Sequence, residues 1–371
     1  MRIKNFWIIW FVFSIFMYGS TLEKIGKINN FKIHSDALIV SNGNILINPH
    51  YDGVNNGFDD YTLTGINFYD IKNIEHPKVI YTISVKNYPL DIDISKDNKY
   101  LFVLQDTLKI YNIENIKNPK LVATYYIDNY GVVSFAISKK RNYLYITKPL
   151  SQIPIHSRDN NFALHIYDIT DLSHIRLVSK KSIDSMHGMW ISPNEKKLFY
   201  TIDRNDDKII PGKRIGLADI SDINHIKVVD ESWRYFVGRG SHASVRSAFF
   251  SQDDKYLYIA SGTYGVMVYD VSHNSLDLIQ RTAGRKVLKF LNCTGAIYDI
   301  EHDKTLDRFF LIGVDEDRKN LEKITCIKGV KESYFVRGSS SFTVESRKLL
   351  MVNDYDFRNG KTIEYVDIYH W

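Results

Sequence analysis

A chain of 371 residues with 44% hydrophobic and 13% aromatic content carries enough apolar surface for a large core, which excludes an intrinsically disordered protein. The formal net charge of +5 is spread thinly with no long Lys/Arg block, which excludes the concentrated basic face that nucleic-acid binding needs. The 25 Tyr and 20 Phe favour strands over helices, because aromatic side chains fit a pleated, half-buried surface.

Residues 1–21 differ in character from the rest of the chain. Arg2 and Lys4 precede Phe6 to Tyr18, a stretch that is apolar but for Ser14. It is too short to span a bilayer comfortably and suits the core of a signal peptide. Gly19, Ser20 and Thr21 are small enough for a cleavage site, although cleavage after Ser20 puts Tyr18 where a small residue is preferred. The segment is read as an export signal or, if retained, as an N-terminal anchor. It places the protein in the periplasm, on the cell surface or outside the cell. Residues 22–371 are read as one folded domain. The only cysteines, Cys293 and Cys326, lie far from this point, which argues against a lipid-anchored lipoprotein. In an oxidising compartment they could pair or remain two buried thiols, and spacing does not choose.

Leu22 to Ile33 (LEKIGKINNFKI) reads as a strand with no unit of its own. A repeat then begins. FYDIKNIEHPKVIYTI from Phe68, IYNIENIKNPKLVATY from Ile110 and IYDITDLSHIRLVSKK from Ile166 align well; LADISDINHIKVVDES from Leu217 and VYDVSHNSLDLIQRTA from Val268 are weaker copies. The marker residues are Asp70, Asn112, Asp168, Asp219 and Asp270, and a bare Asp-Ile at Asp367 and Ile368 is read as the last. The final gap is double the usual step, and KITCI, Lys323 to Ile327, is placed there as a hidden copy. Seven units of roughly 50 residues result, a blade-sized period.

Each unit also has an upstream half that alternates strand, polar turn and aromatic strand: DIDISKDNKYLFVL from Asp91, SFAISKKRNYLYIT from Ser134, MWISPNEKKLFYTI from Met189, SAFFSQDDKYLYIA from Ser247 and YDIEHDKTLDRFFLIG from Tyr298. One repeat therefore supplies strands A, B, C and D, with Asp-Ile closing C. Four short antiparallel strands per repeat make a propeller blade. The reading is all-β: a seven-bladed β-propeller. Because the chain ends at Trp371 just after the last strand C, the N-terminal strand is expected to complete the last blade and so remove two open sheet edges.

The Tyr-Asp-Ile-(Ser/Thr/Lys)-(Asp/Asn)-Ile-x-x-Pro-x-x-Val pattern resembles the LVIVD repeat of bacterial secreted propellers. Hairpins such as SKDNKYLFV and SQDDKYLYI are similar to YVTN-type blades. The resemblance covers nearly all of residues 22–371. It implies a surface or periplasmic location and binding rather than a particular chemistry, since propellers host many unrelated activities. Asn112 in place of the repeated Asp, and the missing Pro step in blades six and seven, depart from the pattern.

The repeated Asp is read as architecture, a carboxylate that accepts backbone N–H groups and fixes the turn into strand D. Function is sought in what does not repeat. The B–C loops and D–A connections share one rim, and the short A–B hairpins occupy the other. The loops expected to be long are Asn48 to Gly65, Lys148 to Phe162, Asp203 to Lys213, Gly313 to Lys323 and Asn353 to Lys361. They are rich in Asp and Asn. Asp203, Asn205, Asp207, Asp315, Asp317, Asp354 and Asp356 have the Asp-x-(Asp/Asn) spacing that offers hard oxygen ligands to Ca²⁺ or another divalent ion, though no stretch forms a full twelve-residue Ca²⁺ loop. Such residues also simply populate solvated turns. No other cofactor is expected.

The D–A connections lead to the central channel and supply Tyr88, Tyr130, His187, Arg239, His242, Arg246 and Arg337. GRGSHAS around Arg239 and VRGSSS around Arg337 are two Arg-Gly-Ser turns that could present donors to a carboxylate or sugar phosphate. The reading is a monomeric binding module for a protein or a small anionic or sugar ligand, touching a membrane only if residues 1–21 are retained. Gly-x-Ser-x-Gly, His-Glu-x-x-His, P-loop and Cys-x-x-Cys motifs are all missing, so the alternative, a channel-mouth hydrolase with a divalent ion, rests on the resemblance to lactonase-like propellers that use top-face carboxylates and His.

Overall fold

The computed structural model describes residues 22–371 apart from 30, 32–36, 53–61, 86–90, 105–106, 127–133, 150–160, 185, 203–214, 233–244, 246, 263, 283–295, 304–307, 315–320, 325–326, 331, 338–339, 345–346 and 359–360. Strand β1 spans Glu23–Asn29. Blade one holds β2 (Leu38–Val40), β3 (Ile45–Asp52), β4 (Thr62–Asp70) and β5 (Lys78–Ser84). Blade two holds β6 (Asp91–Ile94), β7 (Tyr100–Leu104), β8 (Thr107–Asn112) and β9 (Lys120–Tyr126). Blade three holds β10 (Phe135–Ile137), β11 (Tyr143–Pro149), β12 (Asn161–Asp168) and β13 (Arg176–Asp184). Blade four holds β14 (Met186–Ile191), β15 (Lys197–Ile202), β16 (Ile215–Asp219) and β17 (Lys227–Ser232). Blade five holds β18 (Ala248–Phe250), β19 (Tyr256–Ala260), β20 (Val266–Asp270) and β21 (Asp277–Arg281). Blade six holds β22 (Ala296–Asp303), β23 (Arg308–Val314), β24 (Leu321–Ile324) and β25 (Glu332–Arg337); blade seven holds β26 (Ser340–Val344), β27 (Leu349–Arg358) and β28 (Lys361–His370). These make seven four-stranded sheets, and the fourth strand of the last is β1, paired antiparallel with β28. The fold is a seven-bladed β-propeller closed by its N-terminal strand.

Three local devices explain the repeat. The A–B hairpins turn on a serine: Ser95 N–H donates to the Tyr100 carbonyl at 2.9 Å while Ser95 Oγ takes the Tyr100 N–H at 3.0 Å, and Ser251 treats Tyr256 the same way. Each turn needs one left-handed residue, Asn98, Asn142, Glu195 or Asp254, all with φ between 55° and 58°. At the end of strand C the repeated carboxylate or amide accepts the N–H two residues on: Asp70 from Lys72, Asn112 from Glu114, Asp168 from Thr170, Asp219 from Ser221 and Asp270 from Ser272, at 2.9–3.0 Å. These bonds hold Asp168, Asp219 and Asp270 below the ordinary carboxylate range, the Thr170 N–H leading at Asp168 and the Ser221 and Ser272 hydroxyls leading at the other two.

The third device was not legible in the sequence. Every outermost strand except β24 of blade six carries a bulge opposite strand C, where Val79–Ile80, Leu121–Val122, Leu177–Val178, Val228–Val229 and Leu278–Ile279 lie in the register irregularities, as does Ile25 in β1. A bulge twists an exposed edge away from further pairing.

Between the sheets lie seven apolar clusters, one for each junction of the ring. The closing junction joins Val366 and Ile368 of blade seven and Ile28 of β1 to Leu46, Tyr69 and Ile71 of blade one. The cluster between blades six and seven buries Phe310, Tyr369 and Trp371 together with Leu22. Cations from the A–B hairpins reach across some of these junctions. Arg141 of blade three donates to the Ile220 carbonyl of blade four at 2.9 Å, Lys197 of blade four to Val271 of blade five at 2.5 Å, and Arg347 of blade seven to Ile71 of blade one at 2.5 Å. Each time the acceptor is the residue after the repeated Asp. Buried Glu195 answers from blade four, binding Ser138 Oγ at 2.5 Å and the Lys140 N–H at 2.9 Å.

Three expectations are corrected. Asp367 is not the seventh marker: in every regular blade the marker pairs with the first residue of strand B, as Asp70 does with Ile45, and in blade seven that place belongs to His370, opposite Leu349. Asp367 sits inside β28, buried, with Lys24 Nζ 2.5 Å from its Oδ2. KITCI is not the hidden strand C. Its first two residues fall in β24, the outermost strand of blade six, while β25 takes the third place and runs parallel to β23. The carboxylate at marker height is there Glu332, opposite Arg308, whose Nε and Nη2 bind it at 2.9 and 2.6 Å. Finally, Asn353 to Lys361 is not a long loop: β27 and β28 pair as far as Arg358 and Lys361, so Asp354 and Asp356 lie within a strand. Asn359-Gly360 is the dipeptide that closes tight hairpins.

Candidate functional site at the channel mouth

Strand A is innermost in each blade and is fed by the D–A connection, so its first residues lie at the rim that also carries the B–C loops. Aligning the blades on the first residue of strand B puts Asp91, Ser134, Gly188, Ser247 and Asp299 at one height around the axis. The height is set by pairing with strand B, as in Asp91 with Leu104, and in the Thr147 and Ala260 N–H bonds to the Ser134 and Ser247 carbonyls. Neighbouring inner strands are stitched there by side chains. The Phe135 N–H of blade three reaches Asp91 Oδ2 of blade two at 3.5 Å, and the Ile300 N–H of blade six donates to Ser247 Oγ of blade five at 3.0 Å. Asp299 accepts the same Ile300 N–H at 2.9 Å. The mouth is thus framed by two carboxylates and two hydroxyls with a glycine between them.

Sequence reasoning passed over Asp91 and Asp299. For Asp91 a signal was available, since Asp91, Ser134 and Ser247 each stand four residues before a hairpin serine, whereas blade six has no such serine to mark Asp299.

Of the expected ligand residues, His187 and Arg337 are the described ones, and both stand at this same rim. His187 lies in β14, next to Gly188, and Arg337 is the exposed last residue of β25, three residues before β26 opens. Tyr88, Tyr130, Arg239, His242 and Arg246 belong to connections outside the described residues, as do Asp203, Asn205, Asp207, Asp315 and Asp317. Asp354 and Asp356 lie within β27. Among the described residues no three His, Cys, Asp or Glu side chains are placed to hold a metal ion.

Blade five gives the rim a well-ordered sector. Its B–C turn bridges to the next inner strand, Gly262 exchanging two hydrogen bonds of 2.9 Å with Ile297. Buried Arg281 stacks on Tyr264, its guanidinium carbon 4.6 Å from the ring centroid. In blade three, His165 of β12 is driven down to about 4, first by burial and then by the charges of Lys148 and Lys180, so it is neutral at pH 7.

No family model matches the chain, and no curated protein matches it. Many solved structures do, among them a crystal structure of a protein from Lactobacillus plantarum, with a TM-score of 0.52 and 12% identity over 88% of this chain and 82% of that one. At that identity the likeness concerns the fold alone.

Proposed function

We propose that this chain is an exported propeller that binds a protein or a small anionic or sugar ligand at the loop-rich mouth of its channel. What supports this is the difference between the two rims. At the hairpin rim the same serine turns, marker turns and cross-blade cations recur from blade to blade, which is the behaviour of scaffold. At the mouth the described residues at ring height change from one blade to the next, from Asp91 to Ser134, Gly188, Ser247 and Asp299. Two carboxylates, Asp91 and Asp299, and two hydroxyls, Ser134 and Ser247, stand there, and the sequence leading into the inner strands holds Tyr88, Tyr130, His187, Arg239, His242, Arg246 and Arg337. Carboxylates, hydroxyls, guanidinium groups and aromatic rings around one opening suit a ligand with both acceptors and hydroxyl donors.

The second reading, a hydrolase using a divalent ion, draws on Asp91 and Asp299, two carboxylates at one height on rigid strands. A thermal-shift screen over anions, sugars and divalent cations separates the readings, followed by titration of hits against Asp91→Asn, Asp299→Asn and Arg337→Ala. Binding predicts a stabilising organic ligand whose affinity drops about tenfold or more in at least one variant. A hydrolase predicts stabilisation by a metal ion that both Asn variants abolish. No response to any compound or ion would refute a small-molecule site and leave a protein partner.

A further inference from the structure

The rim opposite the mouth has its own pattern. Strand D starts at the hairpin rim, and its opening residues are Lys78-Val79, Lys120-Leu121, Arg176-Leu177 and Lys227-Val228 in blades one to four, while in the closing strand of blade seven Lys24-Ile25 follow an exposed Glu23. The aliphatic member of each pair is exposed: Val79 and Leu121 by 53%, Leu177 by 47%, Val228 by 37% and Ile25 by 48%. Val122 adds another 46%. Blade five departs from the pattern, with Asp277 in the cation's place and Ile279 exposed. A bulge makes demands on the backbone and none on the side chain that points outward. Sheet edges ordinarily carry lysine or another polar residue at such places, not a repeated aliphatic one.

Two of the cations are already engaged, Lys24 by Asp367 and Arg176 by Asp168 at 3.2 Å. Lys78, Lys120 and Lys227 are exposed, and Lys72 and Lys117 stand exposed in the adjoining turns. Of the acids on the same turns, Asp168 and Asp219 are partly buried, and these two and the exposed Asp171 and Asp222 each accept a backbone N–H. Glu75 and Glu114 stay exposed there as well.

The direction of β1 adds an independent observation. Glu23 pairs with His370, the last residue of β28, so the chain enters the propeller at this rim. Immediately ahead of it lie 21 residues containing the apolar stretch Phe6 to Tyr18. With residues 1–21 retained, the hairpin rim is the side at which β1 joins them. At the other end of the outer strands the described residues show only Tyr126 and Val314 as large exposed apolar side chains.

We propose that the hairpin rim rests on an anionic lipid surface, its ring of exposed aliphatic residues dipping into the headgroup layer and the neighbouring lysines meeting lipid phosphates, with the loop-rich mouth turned outward. Aliphatic residues beside lysines are what an interfacial surface requires, because apolar area and charge attraction add. The occupant is an anionic lipid bilayer, and the proposal rests on the reading in which residues 1–21 are retained as an anchor.

The two ends of β9 give the test. Leu121 and Tyr126 lie about 17 Å apart along one strand. A fluorescent amino acid is incorporated at one or the other position of the full chain, which is reconstituted with vesicles containing brominated lipid. With phosphatidylglycerol vesicles, position 121 is expected to be quenched strongly and position 126 little. That difference should collapse in phosphatidylcholine vesicles and in a Lys78→Glu/Lys120→Glu/Lys227→Glu variant, whose surface affinity should fall on the order of 100-fold. Absent quenching at 121, equal or stronger quenching at 126, or quenching at 121 indifferent to lipid charge would each overturn the proposal. A melting temperature within a few degrees of the parent's excludes misfolding of the triple variant as the cause.

Discussion

Substitution of Lys24 by Met tests how the ring is closed. Lys24 Nζ lies 2.5 Å from Asp367 Oδ2, and Asp367 is 6% exposed with its Oδ1 buried and without a hydrogen-bond partner among the described residues. Lys24→Met keeps the length and apolar stem of the side chain while stranding a buried carboxylate. A hydrogen bond to a charged group contributes about 1.5–3 kcal/mol. Because the lysine side chain is itself 47% exposed, solvent screens the pair and a value near the lower end, about 2 kcal/mol, is appropriate. For roughly 350 folded residues at about 2.1 cal/mol/K each, the unfolding entropy is about 0.7 kcal/mol/K, so the melting temperature should drop by about 3 °C. Adding Asp367→Asn removes the stranded charge. The double variant should regain most of the loss, giving a favourable coupling of about 1 kcal/mol or more. Calorimetry of the four proteins closes the cycle. If the two losses simply add, Asp367 is not a carboxylate whose burial depends on the N-terminal strand, and the reasoning fails.

Arg141→Met should cost about 2–3 kcal/mol by chemical denaturation, since it removes the donors to the Ile220 and Glu195 carbonyls and the cation beside buried Glu195; an effect under 0.5 kcal/mol would contradict the cross-blade role. Gly313→Ala should destabilise by on the order of 3 kcal/mol or more, because its Cβ would lie 1.9 Å from the Ala296 carbonyl oxygen. Gly26→Ala, whose Cβ meets only the flexible end of Glu75 at 2.8 Å, should cost far less, and melting temperatures of the pair decide it. His165 is depressed to about 4 in the folded chain against an ordinary 6.5, so the unfolded chain binds more protons between those values and stability falls as pH drops from about 6.5 to about 4. His165→Gln should flatten that slope, measured as unfolding midpoint against pH. Below it, the marker carboxylates Asp168, Asp219 and Asp270, held low by their turns, lose their contribution as pH falls from their unfolded value through their folded one.

The blade count, the Asp turns and the closure by β1 were legible because each rests on local chemistry repeated down the chain. A serine that closes a hairpin or a carboxylate that caps a turn leaves its mark within six residues. What escaped depends on register. Asp367-Ile368 repeats the marker dipeptide, yet only pairing with strand B shows that His370 holds the marker's place. In blade six a parallel pairing between β23 and β25 replaces the usual meander, and no short motif announces a strand that crosses over its predecessor. The bulges were hidden because two adjacent aliphatic residues read the same whether one or both face a partner. The cations that span junctions were invisible for a plainer reason: Arg141 and Ile220 are 79 residues apart. At the mouth, rim positions followed from topology, while Asp91 and Asp299 emerged only when the inner strands were set at a common height.

The closed ring itself is tested most directly by a disulfide across its seam. Glu23 and His370 face one another on β1 and β28, and both are exposed. Opposed residues of an antiparallel pair sit about 4.5–5.5 Å apart, within reach of a disulfide. In Glu23→Cys/His370→Cys the bridge should form within a single molecule under mild oxidation and raise the unfolding midpoint, since it closes nearly the whole chain into one loop. A pair that stays reduced, or that bridges only between molecules, would contradict closure of the seventh blade by the N-terminal strand.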